Sequence, residues 1–519
     1  MSQRAMTITP DMQASAPRAT ARRAANLRQL LSGLAEVAVP DVAVTGLCLD
    51  SREATPGSLF FAIAGTQEHG LAFLPQAVAA GAKVILWEPG PDVAAPASVG
   101  DALLIAIPGL KHLIGRIADR YFDHPSACLE VAGITGTNGK TTTAHLIAAA
   151  MTRHGQPTAY AGTLGFGRIG ALEPTAHTTP DCITVHRRLA ERCAAGDRHV
   201  SMEVSSHALD QGRVDGVSFH TAVFTNLTRD HLDYHKTLAA YAAAKARLFH
   251  TAGLDHAVVN VGDAFGNELL RQLAGQMAVT AYHATPPGNN VPAGHQLFAR
   301  TIEQGSNGLT VHFDGSWGTG TLRSQLIGDF NAENLLAALA VLLGWEVPLD
   351  RAVDALQSVA PPPGRMEVLP SSGPLVVIDY AHSPDALAKA LRATRQHVSG
   401  RLICVFGCGG ERDKGKRPLM GAIAEELADV VVLTDDNPRR EDPDGIIADI
   451  QSGMQRASTA LIERQRSHAI AQALRLAEVT DAVLIAGKGH ETGQIVGGET
   501  LPFSDRAVAL DAIQAWGVS

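Results

Sequence analysis

The stretch from Leu129 to Met151 constrains this chain more than any other, because LEVAGITGTNGKTTTAHLIAAAM reads as a short apolar strand, a glycine-rich turn and an alanine-rich helix in direct succession. Glycines at 136 and 139 let backbone N–H groups approach phosphate oxygens. Lys140 supplies a point charge, and the Thr141 hydroxyl suits Mg²⁺. The spacing departs from the general G-x-x-x-x-G-K-[ST] loop: position 134 is Ile134, Gly133 comes one residue early, and Gly136 lies inside. GTNGKTT is therefore a variant phosphate loop. A turn whose lysine is merely solvated is the bland alternative, and the flanking strand and helix argue against it.

The 519 residues allow three domains or so, at roughly 150 residues each. With 45% apolar and 5% aromatic residues the chain reads as an α/β protein whose core holds many small side chains. The balance of 43 basic to 52 acidic residues, a net charge of -9, argues against a nucleic-acid surface, so any anion must be bound locally. Of Cys48, Cys128, Cys182, Cys193, Cys404 and Cys408, only the last two are near each other in sequence, and the scatter suits reduced thiols. No apolar run reaches the roughly 18 residues of a membrane span, and the N-terminus lacks a signal-peptide core. The expectation is a cytoplasmic protein with no membrane span.

Residues 1–25, rich in Ala, Arg, Ser and Thr, have the composition of a transit peptide or a disordered extension. A small α/β unit follows over 26–110, with strands expected at 44–52, 58–65, 83–88 and 102–107. Its Leu49-Asp50-Ser51-Arg52 turn is a structural turn or a ligand contact. The central unit, 111–360, alternates strands (PTAYAG, HVSMEVSS, HTAVFTNL, HAVVNV) with helices, the pattern of a largely parallel sheet. Residues 284–296 read as a surface loop, and three late strands read as antiparallel. PPPGRMEV (361–368) reads as a linker into a third unit, 361–519, whose four apolar strands each end in a polar or glycine-rich loop. That is the layout of an open, Rossmann-like α/β sheet with a ligand at one edge.

Polar clusters fall where such sheets bind ligands, at the carboxyl ends of strands. Glu203 leaves one strand and could face a Mg²⁺ held by Thr141. Asp230, His231, Asp233 and His235 crowd another loop, either solvated or an oxygen-and-imidazole site for a second Mg²⁺. Lys245 sits among alanines in YAAAKARLF. It is a solvated helix lysine, the commoner case, or one held neutral by its surroundings and able to take up CO₂ as a carbamate. Asn331 and Asn334 share one face of a helix's first turn, to cap it or to read an adenine edge.

With these loops in view, the chain resembles the Mur ligases, the ATP-dependent amino-acid-adding enzymes of peptidoglycan synthesis, and is most similar to the third of that series. The motifs that carry the resemblance are GTNGKTT, MEVSSHAL, NLTRDHLDYH, YAAAKARLF, FNAENLLAA, PGRMEV, DYAHSPDAL, GCGGERDKGKRP, DNPR and GKGHE, in that order from about residue 40 to the C-terminus. The resemblance implies three α/β domains: a UDP-sugar domain, a central ATP domain and a C-terminal amino-acid domain. It also implies roles by position. Gly136, Thr137, Asn138, Gly139, Lys140, Thr141 and Thr142 would cradle ATP, with Asn331 at the adenine and Arg365, Asp379, Tyr380 and His382 closing on the nucleotide. Thr141, Glu203, His231 and Lys245 as a carbamate would surround Mg²⁺, with Lys140, His231 and Lys245 catalytic.

By the same resemblance Leu49, Ser51, Thr178, Thr179, Ser205, Gln211 and Arg213 would hold UDP-MurNAc-L-Ala-D-Glu. His177 stands where the family often has asparagine, and it is given no role. Arg412, Asp436, Asn437, Pro438, Arg439, Gly487 and Glu491 would form the pocket for the incoming amino acid. DNPR is the version of the motif associated with meso-diaminopimelate, whose second carboxylate Arg439 can pair with. Glu491 suits an ammonium group. The implied reaction makes an acyl phosphate of the D-glutamate γ-carboxylate and then an amide, carried out by a monomer. Three alternatives stay open: a same-fold ligase adding L-lysine, one adding glutamate to folates, and a nucleotide-switched binding module.

Overall fold

Seven strands run parallel through the middle of the principal sheet, and the phosphate loop leaves one of the central ones. This computed structural model describes residues 24–65, 68–94, 96, 100–175, 177–286, 294–305 and 308–516. Most of the expected N-terminal extension (1–23) and the heart of the expected surface loop (287–293) lie outside the described residues. The chain divides into two compact units, the first ending at Tyr121 and the second beginning at Phe122.

In the first unit four parallel strands, Leu47–Cys48, Leu59–Ala62, Val84–Trp87 and Leu103–Ala106, lie in sequence order. The strand expected over 44–52 is shorter and broken. Val44 pairs instead with Ala25, the last residue of the expected extension, and the chain re-enters the sheet only at Leu47. Asp50 then caps a 3-10 turn, Ser51–Glu53, by accepting from the Arg52 N–H. Helix Ile114–Tyr121 belongs to this unit, where Arg120 donates to the Leu30 carbonyl over 2.9 Å.

The second unit holds two large sheets and a small hairpin, Gly493–Val496 with Glu499–Pro502. The ten-stranded sheet places Glu130–Thr135 between His199–Glu203 and Thr221–Phe224, all parallel, and ends beyond His295–Gly305 in an antiparallel meander, as the late strands predict. Strands covered on both faces read as continuous apolar runs, which is why they stand out in the sequence. Helix Lys140–Arg153 is buried along almost all of its length beside the equally buried Phe330–Gly344. Two helices that pack this closely need the small side chains that make both alanine-rich.

The six-stranded sheet runs Glu367–Leu369, Leu375–Asp379, Ala482–Ala486, Leu402–Phe406, Val430–Leu433, Leu461–Ile462. All its neighbours are parallel except the first pair, so the end of the expected linker is an antiparallel edge strand. The thiols also depart from expectation: Cys128 and Cys193, 65 residues apart, are joined as a disulfide, while Cys48, Cys182, Cys404 and Cys408 are free and buried. Sequence proximity misses a pair that only the packing of helix Cys182–Ala194 beside the turn Pro125–Cys128 brings together.

Candidate active site

The phosphate loop is braced from below. Asn226 accepts the Thr137 N–H with its carbonyl (2.8 Å) and the Asn138 N–H with its side-chain oxygen (2.9 Å), and the Thr225 hydroxyl donates to the Asn138 carbonyl at 2.6 Å. Both loop glycines are required. Gly136 has φ 151° and a Cβ there would sit 1.9 Å from Thr225 Oγ1; Gly139 has φ 86° and a Cβ would sit 2.4 Å from Asn334 Oδ1. Lys140 Nζ donates to the carbonyls of Gly136 (3.0 Å) and Thr137 (2.9 Å). Burial pushes its ammonium down, against the pull of Glu203 and Asp230.

Thr141 and Glu203, expected to face one Mg²⁺, are in direct contact: the hydroxyl donates to Glu203 Oε2 over 2.9 Å and accepts from Arg365 Nη2 over 2.9 Å. Glu203 is buried, and its other oxygen accepts the Tyr160 hydroxyl and the Thr163 N–H (2.9 Å). Gly162 lets it approach, since a Cβ there would lie 2.2 Å from Glu203 Oε1. Arg365 also stacks over Tyr380, 4.3 Å from the ring centroid. Asp379 accepts from the Met366 N–H, and burial raises its carboxyl against the lowering effect of Arg365. Asn138 Nδ2 reaches Asp385 over 2.9 Å, so the six-stranded half of this unit closes directly onto the loop.

A cavity of about 220 Å³ lies between these groups and is lined by the loop residues Thr137 to Thr142, Glu203, Asn331, Arg365, Asp379, Tyr380 and His382. Asn331 is no cap. Asp329 caps that helix, while Asn331 donates to the Ile327 carbonyl and accepts from Asn334, both amides being buried. His231 takes a left-handed turn (φ 54°) that sets its ring 3.5 Å from Asp230, and His382 lies 3.9 Å from the same carboxylate. Burial raises the Asp230 carboxyl, yet His231, His382 and Lys416 outweigh it and hold it at about 2.

Lys245 is buried, not solvated. Its Nζ donates to the Gly136 carbonyl at 2.7 Å and lies 4.2 Å from the Tyr241 ring centroid. Burial first, and Lys140 second, push its ammonium well below the ordinary lysine range.

A second cavity, about 480 Å³, adjoins the first and shares Thr178, Ser205, Asp230, His231, Tyr380 and His382 with it. One wall carries Thr179 and Arg213. Thr179 donates to the Glu203 carbonyl, and Arg213 donates to the Thr179 carbonyl and to Gln211. The other wall carries Arg412, Asp436, Asn437, Arg439, Gly487 and Glu491. Pro438 carries no such lining role, and the exposed His177 lies at this cavity's edge. Arg439 is in the left-handed region (φ 55°), its backbone clamped by Ile495 and Gly497, and its Nη1 donates to the Gly410 carbonyl over 2.8 Å. Burial and the neighbouring Arg412 both push its guanidinium down, leaving a concentration of positive charge suited to a carboxylate. Gly487 (φ 116°) is needed because a Cβ would meet Asp436 Oδ2 at 2.6 Å.

Leu49 and Ser51 belong to the first compact unit, where Leu49 directly follows a strand and Ser51 is buried with its hydroxyl bonded to Gln76 (2.8 Å). A further cavity, about 710 Å³, lies at the opposite, amino ends of the strands around Cys128, His199 and Trp345 and holds no predicted site residue. Sequence reasoning passed over Tyr160, Thr163, Asn226 and Lys488. Asn226 and Lys488 lie inside the quoted motifs, whereas nothing in the sequence singles out Tyr160.

Among the described residues no three His, Cys, Asp or Glu side chains converge as a metal cage. Mg²⁺ bound to a nucleotide does not need one, because it keeps water and phosphate oxygens and takes one or two protein ligands. The adjacent Thr141 hydroxyl and Glu203 carboxylate fit that requirement.

Three family models match the chain: "Mur ligase family, catalytic domain" over residues 43–121, "Mur ligase middle domain" over 134–342 and "Mur ligase, glutamate ligase domain" over 364–489. The chain belongs to the Mur ligase family. Among curated relatives, the UDP-N-acetylmuramoyl-L-alanyl-D-glutamate--2,6-diaminopimelate ligase of Xanthomonas campestris pv. campestris (strain 8004) is 48% identical over 495 residues, 95% of this chain and 98% of the relative. The protein of the same name from Coxiella burnetii is 44% identical, covering 94% and 99%. A solved structure of that name superposes with a TM-score of 0.68 at 35% identity, covering 95% of this chain and all of the other. MurF from Acinetobacter baumannii, at 19% identity and a TM-score of 0.63, shares the three-domain Mur ligase fold.

Proposed function

We propose that this Mur ligase adds meso-2,6-diaminopimelate to the D-glutamate γ-carboxylate of UDP-MurNAc-L-Ala-D-Glu, consuming ATP and forming ADP and phosphate. The observation that carries the reading is the shared wall between the two cavities. A carboxylate placed near Thr178, Ser205 and His231 has the phosphate loop on one side and the Arg412–Arg439 pocket on the other. The relatives named above supply the substrate names.

The chemistry follows from charge. ATP and a carboxylate repel each other, and the loop N–H groups with Lys140 offset that repulsion and the charge that develops as the γ-phosphoryl group moves. Mg²⁺, held by Thr141 and Glu203 with His231 and a Lys245 carbamate nearby, would neutralise further phosphate charge when bound. A γ-carboxylate oxygen attacks the γ-phosphorus and the bond to the bridging oxygen breaks, releasing ADP. The amine nitrogen then attacks the acyl carbon, phosphate leaves, and the amine gives up its proton. Asn138 on Asp385 and Arg365 on Thr141 close the cleft and exclude the water that would hydrolyse the acyl phosphate. For Lys245 the neutral amine adds to CO₂, an N–C bond forms and a proton departs, turning a would-be cation into a two-oxygen ligand.

We read the enzyme as a cytoplasmic monomer, a reading supported by both cavities lying within one chain and by its charged nucleotide substrates; no described helix is long and apolar enough to cross a membrane. Phosphate release from ATP plus UDP-MurNAc-L-Ala-D-Glu tests the reading. Release should require diaminopimelate. Equal rates with L-lysine overturn the acceptor assignment, and turnover without any amine favours a nucleotide switch.

A further inference from the structure

Lys488 lies in the acceptor pocket's wall yet has no access to the cavity. It is fully buried, and its Nζ donates to Glu491 Oε2 at 2.7 Å and to Asn437 Oδ1 at 2.9 Å. Asn437 Nδ2 also donates to Glu491 Oε2, at 3.0 Å, so the three side chains form a closed triangle joining DNPR to GKGHE. The second bond to Asn437 Oδ1 comes from the Ile495 N–H, at 2.9 Å. That amide oxygen is therefore fully used, and Asn437 can offer the cavity only N–H. Glu491 is likewise left with a single oxygen, Oε1, free of these bonds.

The charges matter as much as the geometry. Arg412 and Arg439 supply the positive charge of this wall, and Asp436 and Glu491 are the acids beside them, Glu491 being the one that carries a lysine. A lysine paired directly to that acid cancels most of its charge, since an ammonium 2.7 Å away in a buried setting interacts strongly. We propose that Lys488 is a positioning residue for acceptor selectivity: by binding Glu491 and Asn437 together it masks one of the two acids of this wall and leaves the guanidinium charge dominant there. An amino acid whose far end carries a carboxylate as well as an ammonium is then favoured over one with an ammonium alone. This deepens the proposed diaminopimelate reading and rests on it.

The test compares Lys488→Met with the unaltered enzyme, measuring KM for ATP, for UDP-MurNAc-L-Ala-D-Glu and for each acceptor. The expected result is a KM for diaminopimelate raised by about tenfold, the scale of one lost charged hydrogen bond. The preference for diaminopimelate over lysine in kcat/KM should fall by a similar factor as the acid is unmasked, with the other two KM values within about twofold. An unchanged preference, or a fall in kcat with every KM intact, overturns the proposal. Should Lys488→Met fail to fold for want of a partner for the half-buried acid, Lys488→Met/Glu491→Gln leaves no unpaired charge. In that pair the acid carries no charge to unmask, so the preference for diaminopimelate over lysine in kcat/KM should stay within about twofold of the original, and loss of that preference overturns the proposal. An unaltered enzyme that ignores diaminopimelate defeats the functional reading, an outcome distinct from either.

Discussion

Lys245 shows how far one residue's surroundings decide its chemistry. A lysine in an alanine-rich helix is normally solvated, but this one is buried with a single backbone carbonyl and an aromatic face for company. A lysine pKa pushed down by burial means that the neutral amine is the form present at lower pH than usual, and only the neutral amine reacts with CO₂. Lys245→Ala should therefore retain under about 1% of the phosphate-release rate, in line with losing a group that acts on the transferring phosphoryl. Adding acetate or formate should restore part of it by returning a carboxylate to the space. Full activity in the unrescued variant would remove the carbamate from the mechanism. Lys245 itself was visible in the sequence; its burial was not, because the Gly136 carbonyl it serves is 109 residues away.

At the scale of elements, the phosphate loop works because two helices and a neighbouring strand end hold it at close quarters. Gly139→Ala places a methyl group 2.4 Å from Asn334 Oδ1 and forces φ 86° on a residue with a Cβ. Gly155 ends the same helix with nearly the same backbone, φ 85°, but a Cβ there meets nothing within 4 Å. Both substitutions should cost about 1–2 kcal/mol of backbone strain, read as a lowered melting temperature. Only Gly139→Ala should also raise the KM for ATP, by about tenfold or more, because only there must the loop and Asn334 separate. Equal effects on ATP from both would mean that strain, and not the close approach, is what matters.

The same elements show what a sequence makes legible. Parallel strands covered on both faces announce themselves as apolar runs, and their C-terminal loops collect the polar residues, so the sheets and most of the cleft could be read directly. Contacts between distant elements could not. The Glu367–Leu369 edge strand looked like a linker because its pairing with Leu375–Asp379 satisfies the backbone and leaves only a weak side-chain pattern. The Tyr160 hydroxyl on Glu203 and the Cys128–Cys193 pair depend on where neighbouring elements pack.

For the whole molecule, the core that makes the site rigid also sets a lower limit on working pH. His145, on the phosphate-loop helix, gives its Nε2 to the Ala360 carbonyl, and His256, on a central strand, pairs its Nε2 with the Thr280 hydroxyl. The Nδ1 atom of each is buried without a hydrogen-bond partner, so protonation there creates an N–H with no acceptor. Burial accordingly pushes both rings from 6.5 down to about 4. Because the folded pKa is depressed, the unfolded chain binds the extra proton between those values. The stability contributed by the neutral rings is complete above pH 6.5 and is lost as pH falls toward 4. Linkage puts the loss at roughly 2 kcal/mol per ring by about pH 5. The melting temperature should fall steadily from pH 7 to pH 5, and His256→Gln, which cannot charge, should show a shallower fall from a lower starting value. An equally steep fall in that variant would place the acid sensitivity elsewhere, first in other buried imidazoles such as His199, which burial also pushes down to about 4.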